Sequence, residues 1–261
     1  MFLKKFIAIH PNKLRDWMSK ITSYLLPSVC ILCSQTIQSA TNLCLACHQN
    51  LPILPYHCFQ CAQFLPQNAA ENECKSLSRL HPLCGTCLNG RPPFERTFAL
   101  FPYTFPITQL IIQLKFHRQL SHAKALSELF IQKIQSDWYK NKPLPDIIIP
   151  VPLHPNRLRE RGFNQTVEIA KPLSQALSIP LDTRGVTRIK QTQAQSGLTS
   201  KARKENMANA FAAHHHYKDL TIAVLDDVIT TGQTVTELCK ILKQQGAKNL
   251  HLWCAARNGN N

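Results

Sequence analysis

Residues 221–234 read TIAVLDDVITTGQT, and this stretch decides the fold. TIAVL, residues 221–225, is a short unbroken apolar run, the composition of a strand buried on both faces of a parallel sheet. Asp226 and Asp227 are thereby placed just past the carboxyl end of that strand, where open α/β sheets bind their ligands. Thr230, Thr231, Gly232, Gln233 and Thr234 then form a loop of small and hydroxylated residues that runs into a helix. That helix is predicted over residues 233–245, with Val235, Leu238, Cys239 and Leu242 on one face and Gly246 as its C-terminal cap.

Working outward, the same alternation repeats. LHLWCA, residues 250–255, closes the chain as one more strand, and DIIIPVP, residues 146–152, is a buried strand bounded by prolines. A helical pattern over residues 162–177 lies between them, with Pro172 expected to kink it or mark a boundary. Upstream, residues 96–104 alternate as a strand. Residues 107–115 keep Ile107, Leu110, Ile111 and Leu114 at helical spacing, and a second helix covers 120–139. Strand–helix–strand order of this kind predicts an α/β fold, a parallel sheet flanked by helices on both faces.

The motif also carries chemistry. Two adjacent carboxylates are unfavourable to bury side by side unless something compensates them. A ribose cis-diol does so by donating hydrogen bonds to both. Threonine hydroxyls and backbone N–H groups at a helix N-terminus make a cradle for a monophosphate. Together they describe a ribose-5-phosphate pocket. A triphosphate loop would need G-x-x-x-x-G-K-[ST], which the sequence lacks. The plain alternative is a surface turn whose aspartates merely begin a helix.

Composition sets the class of partner. The chain has 261 residues, 44% apolar and 17% charged, a globular balance. Its 30 basic residues against 15 acidic give a net charge of +15, which favours nucleic acid, phosphorylated metabolites or an acidic membrane surface. Between Arg157 and Lys204 ten basic residues meet three acidic ones, so this segment is a candidate anion-binding face. No run of about 18 apolar residues exists to span a membrane. The basic start MFLKKFIAIHP has too short an apolar core for a secretory signal, and residues 1–27 read as an amphipathic helix that packs on the protein itself. These features predict a cytoplasmic protein.

Eight cysteines form four C-x-x-C pairs: Cys30/Cys33, Cys44/Cys47, Cys58/Cys61 and Cys84/Cys87. Each such turn sets two thiolates on one side of a knuckle, about the separation tetrahedral zinc requires, and two knuckles close one site. Disulfides need an oxidising compartment, and a redox C-x-x-C is not repeated four times. The natural grouping assigns Cys30, Cys33, Cys44 and Cys47 to one structural Zn²⁺ and Cys58, Cys61, Cys84 and Cys87 to another. Cys74 is then a spare thiol; Cys239 and Cys254 sit in apolar surroundings and read as core. His214, His215 and His216 read as an exposed loop. The chain divides into an N-terminal helix over 1–27, a double zinc ribbon over 28–92 and an α/β domain over 93–261, with Arg91-Pro92-Pro93 as a linker signal.

VLDDVITTGQT resembles the phosphoribosyl-pyrophosphate signature of type I phosphoribosyltransferases, although Gln233 departs from the small residue usual in that family. Together with IPVPLHPNRLRERGFNQ (149–165), QSGLTSKARKENMANAF (195–211) and the upstream C-x-x-C pairs, it resembles the ComF family. These are competence-associated, phosphoribosyltransferase-like proteins of the ComFC/GntX type with an N-terminal zinc ribbon. The resemblance implies that Asp226 and Asp227 hold ribose hydroxyls and that Thr230, Thr231, Gly232, Gln233 and Thr234 hold the 5-phosphate. It places the Val151-Pro152-Leu153 turn at pyrophosphate, with Mg²⁺ accompanying a pyrophosphate-bearing ligand. Arg157, Arg159 and Arg161 would meet pyrophosphate or a nucleic-acid backbone, since guanidinium forks match phosphate; the plain alternative is a solvated loop. Lys115 in QLKF matches a recurring lysine of that family.

Three functions follow as expectations. The favoured one is DNA uptake in natural transformation, with a pocket for phosphoribosyl pyrophosphate or a related ribose phosphate and a surface for incoming single-stranded DNA. The second is an active phosphoribosyltransferase acting on an unidentified base or amine; no residue is assigned as catalytic. The third is an adaptor whose ribbons dock a DNA-uptake helicase or processing protein. Aromatic platforms typical of single-strand binders have candidates in Phe116, Phe163 and Tyr103, each read first as core.

Overall fold

The computed structural model describes residues 28–37, 42–66, 81–190 and 209–259. The helix expected over 1–27, Cys74 and most of the 195–211 stretch lie outside them. The chain divides into two compact units, one ending at Asn50 and one beginning at Leu51.

In the first unit, β1 (Ser28–Val29) pairs antiparallel with β2 (Thr36–Ile37), and α1 (Leu45–Gln49) follows. The turn between the strands is a cysteine knuckle: the Cys30 amide donates to Gln35 O and the Ser34 amide to Cys30 O, both at 2.8 Å. Ser34 adopts a left-handed φ of 60°. The second unit repeats the pattern four residues after each leading cysteine. Cys58 N donates to Gln63 O at 2.8 Å, Ala62 N to Cys58 O at 2.9 Å, and Ala62 has φ 55°. The closing halves also match, since Cys44 and Cys84 each precede a five-residue helix, α1 and α2 (Gly85–Asn89).

The rest of the second unit is the α/β domain. Its sheet has the order β3 (Arg96–Pro102), β8 (Asn249–Arg257), β7 (Thr221–Ile229), β4 (Ile147–Pro150), with every pairing parallel. Between β3 and β4 run α3 (Ile107–His117), α4 (Leu120–Lys133) and a π-helical turn over Ile134–Trp138. Between β4 and β7 run α5 (Pro155–Arg161), α6 (Gln165–Leu177) and a small antiparallel pair, β5 (Val186–Arg188) with β6 (Phe211–Ala213). The last helix, α7 (Gln233–Gln244), joins β7 to β8.

Alternation along each strand builds two cores. On one face Ile149, Ile222, Val224, Leu250, Leu252 and Cys254 pack with Val235, Leu238, Cys239 and Leu242 of α7. The opposite face presents Phe98 and Trp253 to an aromatic group from the π turn: Phe98 lies 5.1 Å from Trp138 and Tyr139 lies 5.8 Å from Trp253, centroid to centroid. Beyond it α4 and α6 are bridged by Ser127, whose hydroxyl meets Ile169 O at 2.8 Å. Helices on both faces are thus as the sequence predicts.

Two elements differ from the sequence reading in ways that matter for the site. β7 continues through both aspartates, since Asp226 faces Cys254 and Val228 faces Ala256 across the ladder with β8. The apolar run ends at Leu225, but the ladder ends only at Ile229, because β8 is equally long. The arginine segment is a helix, stopped by Gly162 at φ 83°, and α6 begins afresh with Asn164 as its cap.

Leu238 of α7 is fully buried against this sheet. Leu238→Ala is expected to destabilise the domain by about 2–5 kcal/mol, read as a lower urea midpoint with an unchanged slope.

Candidate functional site

The carboxyl end of β7 carries two consecutive carboxylates. Asp227 is buried, and its Oδ1 accepts from the Val228 amide at 2.6 Å. Asp226 Oδ1 accepts from the Asp227 amide at 2.9 Å. The compensating charge is Lys115, in the last turn of α3, whose Nζ lies 2.8 Å from Asp227 Oδ2. Burial first, and then the neighbouring Asp227, push the Asp226 carboxyl up to about 7, against the opposing pull of Lys115 and Arg188. A proton or a hydrogen-bond donor on Asp226 relieves this site near neutral pH.

β7 then turns through Thr230 and Thr231, both exposed, to Gly232 at the head of α7. Gly232 has φ 78°, a left-handed conformation that a side chain would strain. Its helix has no side-chain cap. The first amides of α7, on Gln233 and Thr234, have no carbonyl within the helix to meet, and with the dipole they form an anion-binding end. From beneath, the buried Arg257 donates to Ile229 O at 3.0 Å and to Thr230 O.

Val151 opens the turn after β4. Its amide donates to Leu225 O at 2.8 Å, and its carbonyl accepts from Asn164 Nδ2 and Thr166 Oγ1, each at 3.0 Å. This fixes the Val151-Pro152-Leu153 turn directly beside the residue that precedes Asp226. Arg157 and Arg161 are one helical turn apart on α5 and share a face, while Arg159 is exposed on another. Arg161 is bonded to Gln165 Oε1, and its guanidinium sits 5.6 Å over the Phe116 ring. Burial lowers the Arg161 pKa and the nearby Asp227 charge opposes this, which brings Arg161 to the carboxylates as well. Arg188, at the end of β5, is likewise within electrostatic reach of Asp226 and of Arg157.

The structure therefore sets Val151 beside the strand end that carries Asp226 and Asp227, with Thr230 to Thr234 continuing from it, puts Arg161 within electrostatic range of Asp227, with Arg157 on the same face of α5, and leaves Arg159 aside. It adds Lys115 in a definite role and Arg188, Asn164 and Thr166, which the sequence reading did not select. Phe116 is 69% exposed at the rim and is not core; Phe163 and Tyr103 are half-buried. The three histidines are divided in use: His214 meets Thr187 Oγ1, and His215 meets Asp182 Oδ2, each at 2.9 Å.

The cysteines come together as two separate groups, Cys30, Cys33, Cys44, Cys47 and Cys58, Cys61, Cys84, Cys87, with all four sulfurs of each within 4.8 Å of one another. Cys33 and Cys44 sulfurs are 3.7 Å apart, and Cys61 and Cys84 sulfurs 3.6 Å. A tetrahedron of thiolates at zinc bond lengths has edges of about 3.8 Å, so both groups fit one such ion. A hydrogen bond from Cys61 holds the Cys58 thiol below its ordinary value, while the same pairing and burial push Cys61 up, so Cys58 is the member that most readily gives up its proton. Four sulfurs leave no open coordination position, which suits a structural ion.

Residues 164–261 match the family model of the phosphoribosyl transferase domain. The chain is 38% identical to DNA utilization protein YhgH of Salmonella typhi, over 67% of this chain and 77% of that protein. It is 34% identical to competence protein F of Haemophilus influenzae, over 67% and 78% respectively. Among solved structures, a purine phosphoribosyltransferase from Pyrococcus horikoshii Ot3 aligns with 51% of this chain and 71% of its own, at 23% identity and a TM-score of 0.33. The chain belongs to the family of YhgH and competence protein F. Among the described residues, no helix is long and apolar enough to cross a membrane.

The raised Asp226 pKa has a sign that can be measured. Because its folded value lies above the unfolded one, the native state holds the extra proton, and stability falls as pH rises through about 7. Asp226→Asn is therefore expected to raise Tm at pH 8 and to lose that advantage near pH 4, which thermal unfolding across a pH series checks.

Proposed function

We propose that this member of the family binds phosphoribosyl pyrophosphate, or a related ribose phosphate, over Asp226 and Asp227, and that its cationic rim takes incoming single-stranded DNA in the cytoplasm. The observation that carries the reading is the continuity of the site: a carboxylate pair, then an uncapped helix N-terminus, on one strand end ringed by Lys115, Arg157, Arg161 and Arg188. A cis-diol donates to the carboxylates. The 5-phosphate accepts from the amides of Gln233 and Thr234 and from the hydroxyls of Thr230, Thr231 and Thr234. Pyrophosphate meets the Val151-Pro152-Leu153 turn and Arg157 and Arg161 of α5, and Mg²⁺ bound with it would offset its charge. Zn²⁺ is the ion assigned to both cysteine groups, where it supplies folding energy and no chemistry.

For the polymer, the rim offers phosphate-binding guanidinium groups next to an exposed aromatic ring, Phe116. Basic groups that track the backbone and rings on which bases stack are the two parts of a single-strand binder. One observation favours a second reading, an active phosphoribosyltransferase. Paired carboxylates suit a ribose diol, and DNA has no 2′-hydroxyl to give them.

Fluorescence anisotropy with a labelled single-stranded oligonucleotide, over a salt series and with phosphoribosyl pyrophosphate plus Mg²⁺ as competitor, tests the proposal. Binding that weakens steeply with salt is expected. Phe116→Ala should cost about 1–3 kcal/mol of oligonucleotide binding if a base stacks there. Asp227→Asn should abolish competition by the small ligand and spare the oligonucleotide. No binding at low salt would overturn the DNA reading, and release of pyrophosphate with a base or amine would establish the enzyme.

A further inference from the structure

Arg257 is the last residue of β8 and is only 3% exposed. Among the described residues no carboxylate forms an ion pair with it; its guanidinium is spread instead over five oxygens from three parts of the chain. Nη1 donates to Ile229 O and Asn258 O at 3.0 and 2.7 Å, and to Thr230 O. Nε donates to Cys61 O at 3.1 Å, and Nη2 to Gln63 Oε1 at 2.6 Å. One planar cation thus joins the base of the phosphate-binding loop to the first knuckle of the second cysteine group.

Between the loop and the cysteines lies a cavity of about 160 Å³, bordered by Cys61, Gln63, Thr97, Thr231 and Gly232 as well as Arg257. Ala62 of the knuckle packs in the same hydrophobic cluster as Ile229 and Val235, so the apolar contact is shared and Arg257 supplies the directional, polar part of the connection. The knuckle is anchored on its other side, where Gln63 Nε2 reaches Gly259 O at 3.3 Å and Gln60 Nε2 reaches Phe94 O at 2.9 Å. Phe64 packs so closely on Gly259 that an added Cβ there would overlap its ring. The knuckle is therefore fixed to the sheet, and its Cys61 carbonyl accepts from the buried Arg257 guanidinium beneath the loop.

We infer that Arg257 is a positioning residue for the phosphate-binding loop, and that a metal ion held by Cys58, Cys61, Cys84 and Cys87 sets the loop's geometry through it. Cys61 is a ligand on one side, and its carbonyl holds the guanidinium on the other. Loss of the ion releases Cys61 from its metal bond and loosens its carbonyl, and the guanidinium that meets the carbonyls of Ile229 and Thr230 loses one of its fixed partners. The second cysteine group is on this view part of the ribose-phosphate site. The inference rests on the proposed phosphate role of the loop for its consequence in binding, but the mechanical link stands apart from it.

Hydrogen exchange of the full-length, zinc-loaded protein separates the two. Exchange at residues 229–234 is compared with that of α4 in wild type, Arg257→Lys, Gln63→Ala and Cys84→Ser, with zinc content measured by chelator release and ribose 5-phosphate binding by calorimetry. Lysine keeps the charge and loses the fork. Arg257→Lys is expected to retain both ions, to exchange faster at 229–234 with α4 unchanged, and to bind ribose 5-phosphate about tenfold or more weakly, the usual effect of removing an outer partner of a metal ligand. Cys84→Ser should lose one ion and give the same local change. Should Arg257→Lys fail to fold, Gln63→Ala, which removes one acceptor of the guanidinium together with the bond to Gly259 O, gives the same signature in smaller measure. Unchanged exchange at 229–234 after loss of the second ion, or in both Arg257→Lys and Gln63→Ala, overturns the inference. A wild type that binds no ribose 5-phosphate defeats the phosphate reading alone, and the exchange comparison still decides the link.

Discussion

Two carboxylates on successive residues at the end of a sheeted strand dictate what the rest of the domain must supply. Neither Asp226 nor Asp227 can be left without compensation so close to a hydrophobic sheet. Lys115 reaches Asp227 from α3, and leaving that pair half-broken would cost about 3–5 kcal/mol. Arg161 of α5 and Arg188 of β5 add positive charge within electrostatic range of Asp227 and Asp226. The excursion between β3 and β4 thus supplies one cation to this strand end, and the excursion between β4 and β7 supplies two. The arrangement also explains why Asp226 remains unfavourable when ionised: burial and the adjacent Asp227 charge outweigh Lys115, Arg188 and the one amide that donates to it.

The cysteine groups solve a different problem. Segments of this length with few apolar residues do not bury enough surface to hold a fold, so thiolates on a shared ion replace a core. The two groups use the same device, a left-handed residue four positions after the first cysteine, Ser34 in one and Ala62 in the other. Their settings differ. The first group lies within the unit ending at Asn50, and the second within the unit that contains the sheet. In that second unit Arg96 stacks between Phe59 of the knuckle and Phe98 of β3, at 4.3 and 4.4 Å, so the knuckle is held to the sheet by a side chain at each end of its contact.

What the sequence made legible was local. The spacing within each C-x-x-C, the apolar run of β7 and the loop after it are written in neighbouring residues, and their groupings and order appear in the structure as read. What it hid depends on distant packing. Lys115 stands in a helix whose pattern announces only its buried face, Ile107, Leu110, Ile111 and Leu114, and nothing local says that its charge meets Asp227. A signal was available for Phe116: with that face filled, Ile112 and Phe116 are surplus apolar residues one turn apart, and both are exposed. Arg257 also gave a hint. A lone arginine ending the apolar run LWCAAR in a central strand must find several oxygens, although which ones only the fold decides. The length of β7 is not legible in its own apolar residues, because a ladder ends where its partner ends.

On the proposed function the two ligands make different demands, and the geometry divides them. A carboxylate pair needs donors, and a deoxyribose strand offers it none and brings phosphates of like charge. The pair therefore selects against DNA at its own position and for a ribose phosphate or a protonated Asp226. The arginines and Phe116 lie at the rim, where backbone phosphates and bases can be met without entering. Arg161 belongs to both settings, since it feels Asp227 on one side and covers Phe116 on the other. A ligand whose pyrophosphate engages Arg161 from within takes a cation from the strand outside. If both proposed ligands bind as described, small-ligand binding and single-strand binding would be opposed through this one guanidinium, without any change of fold.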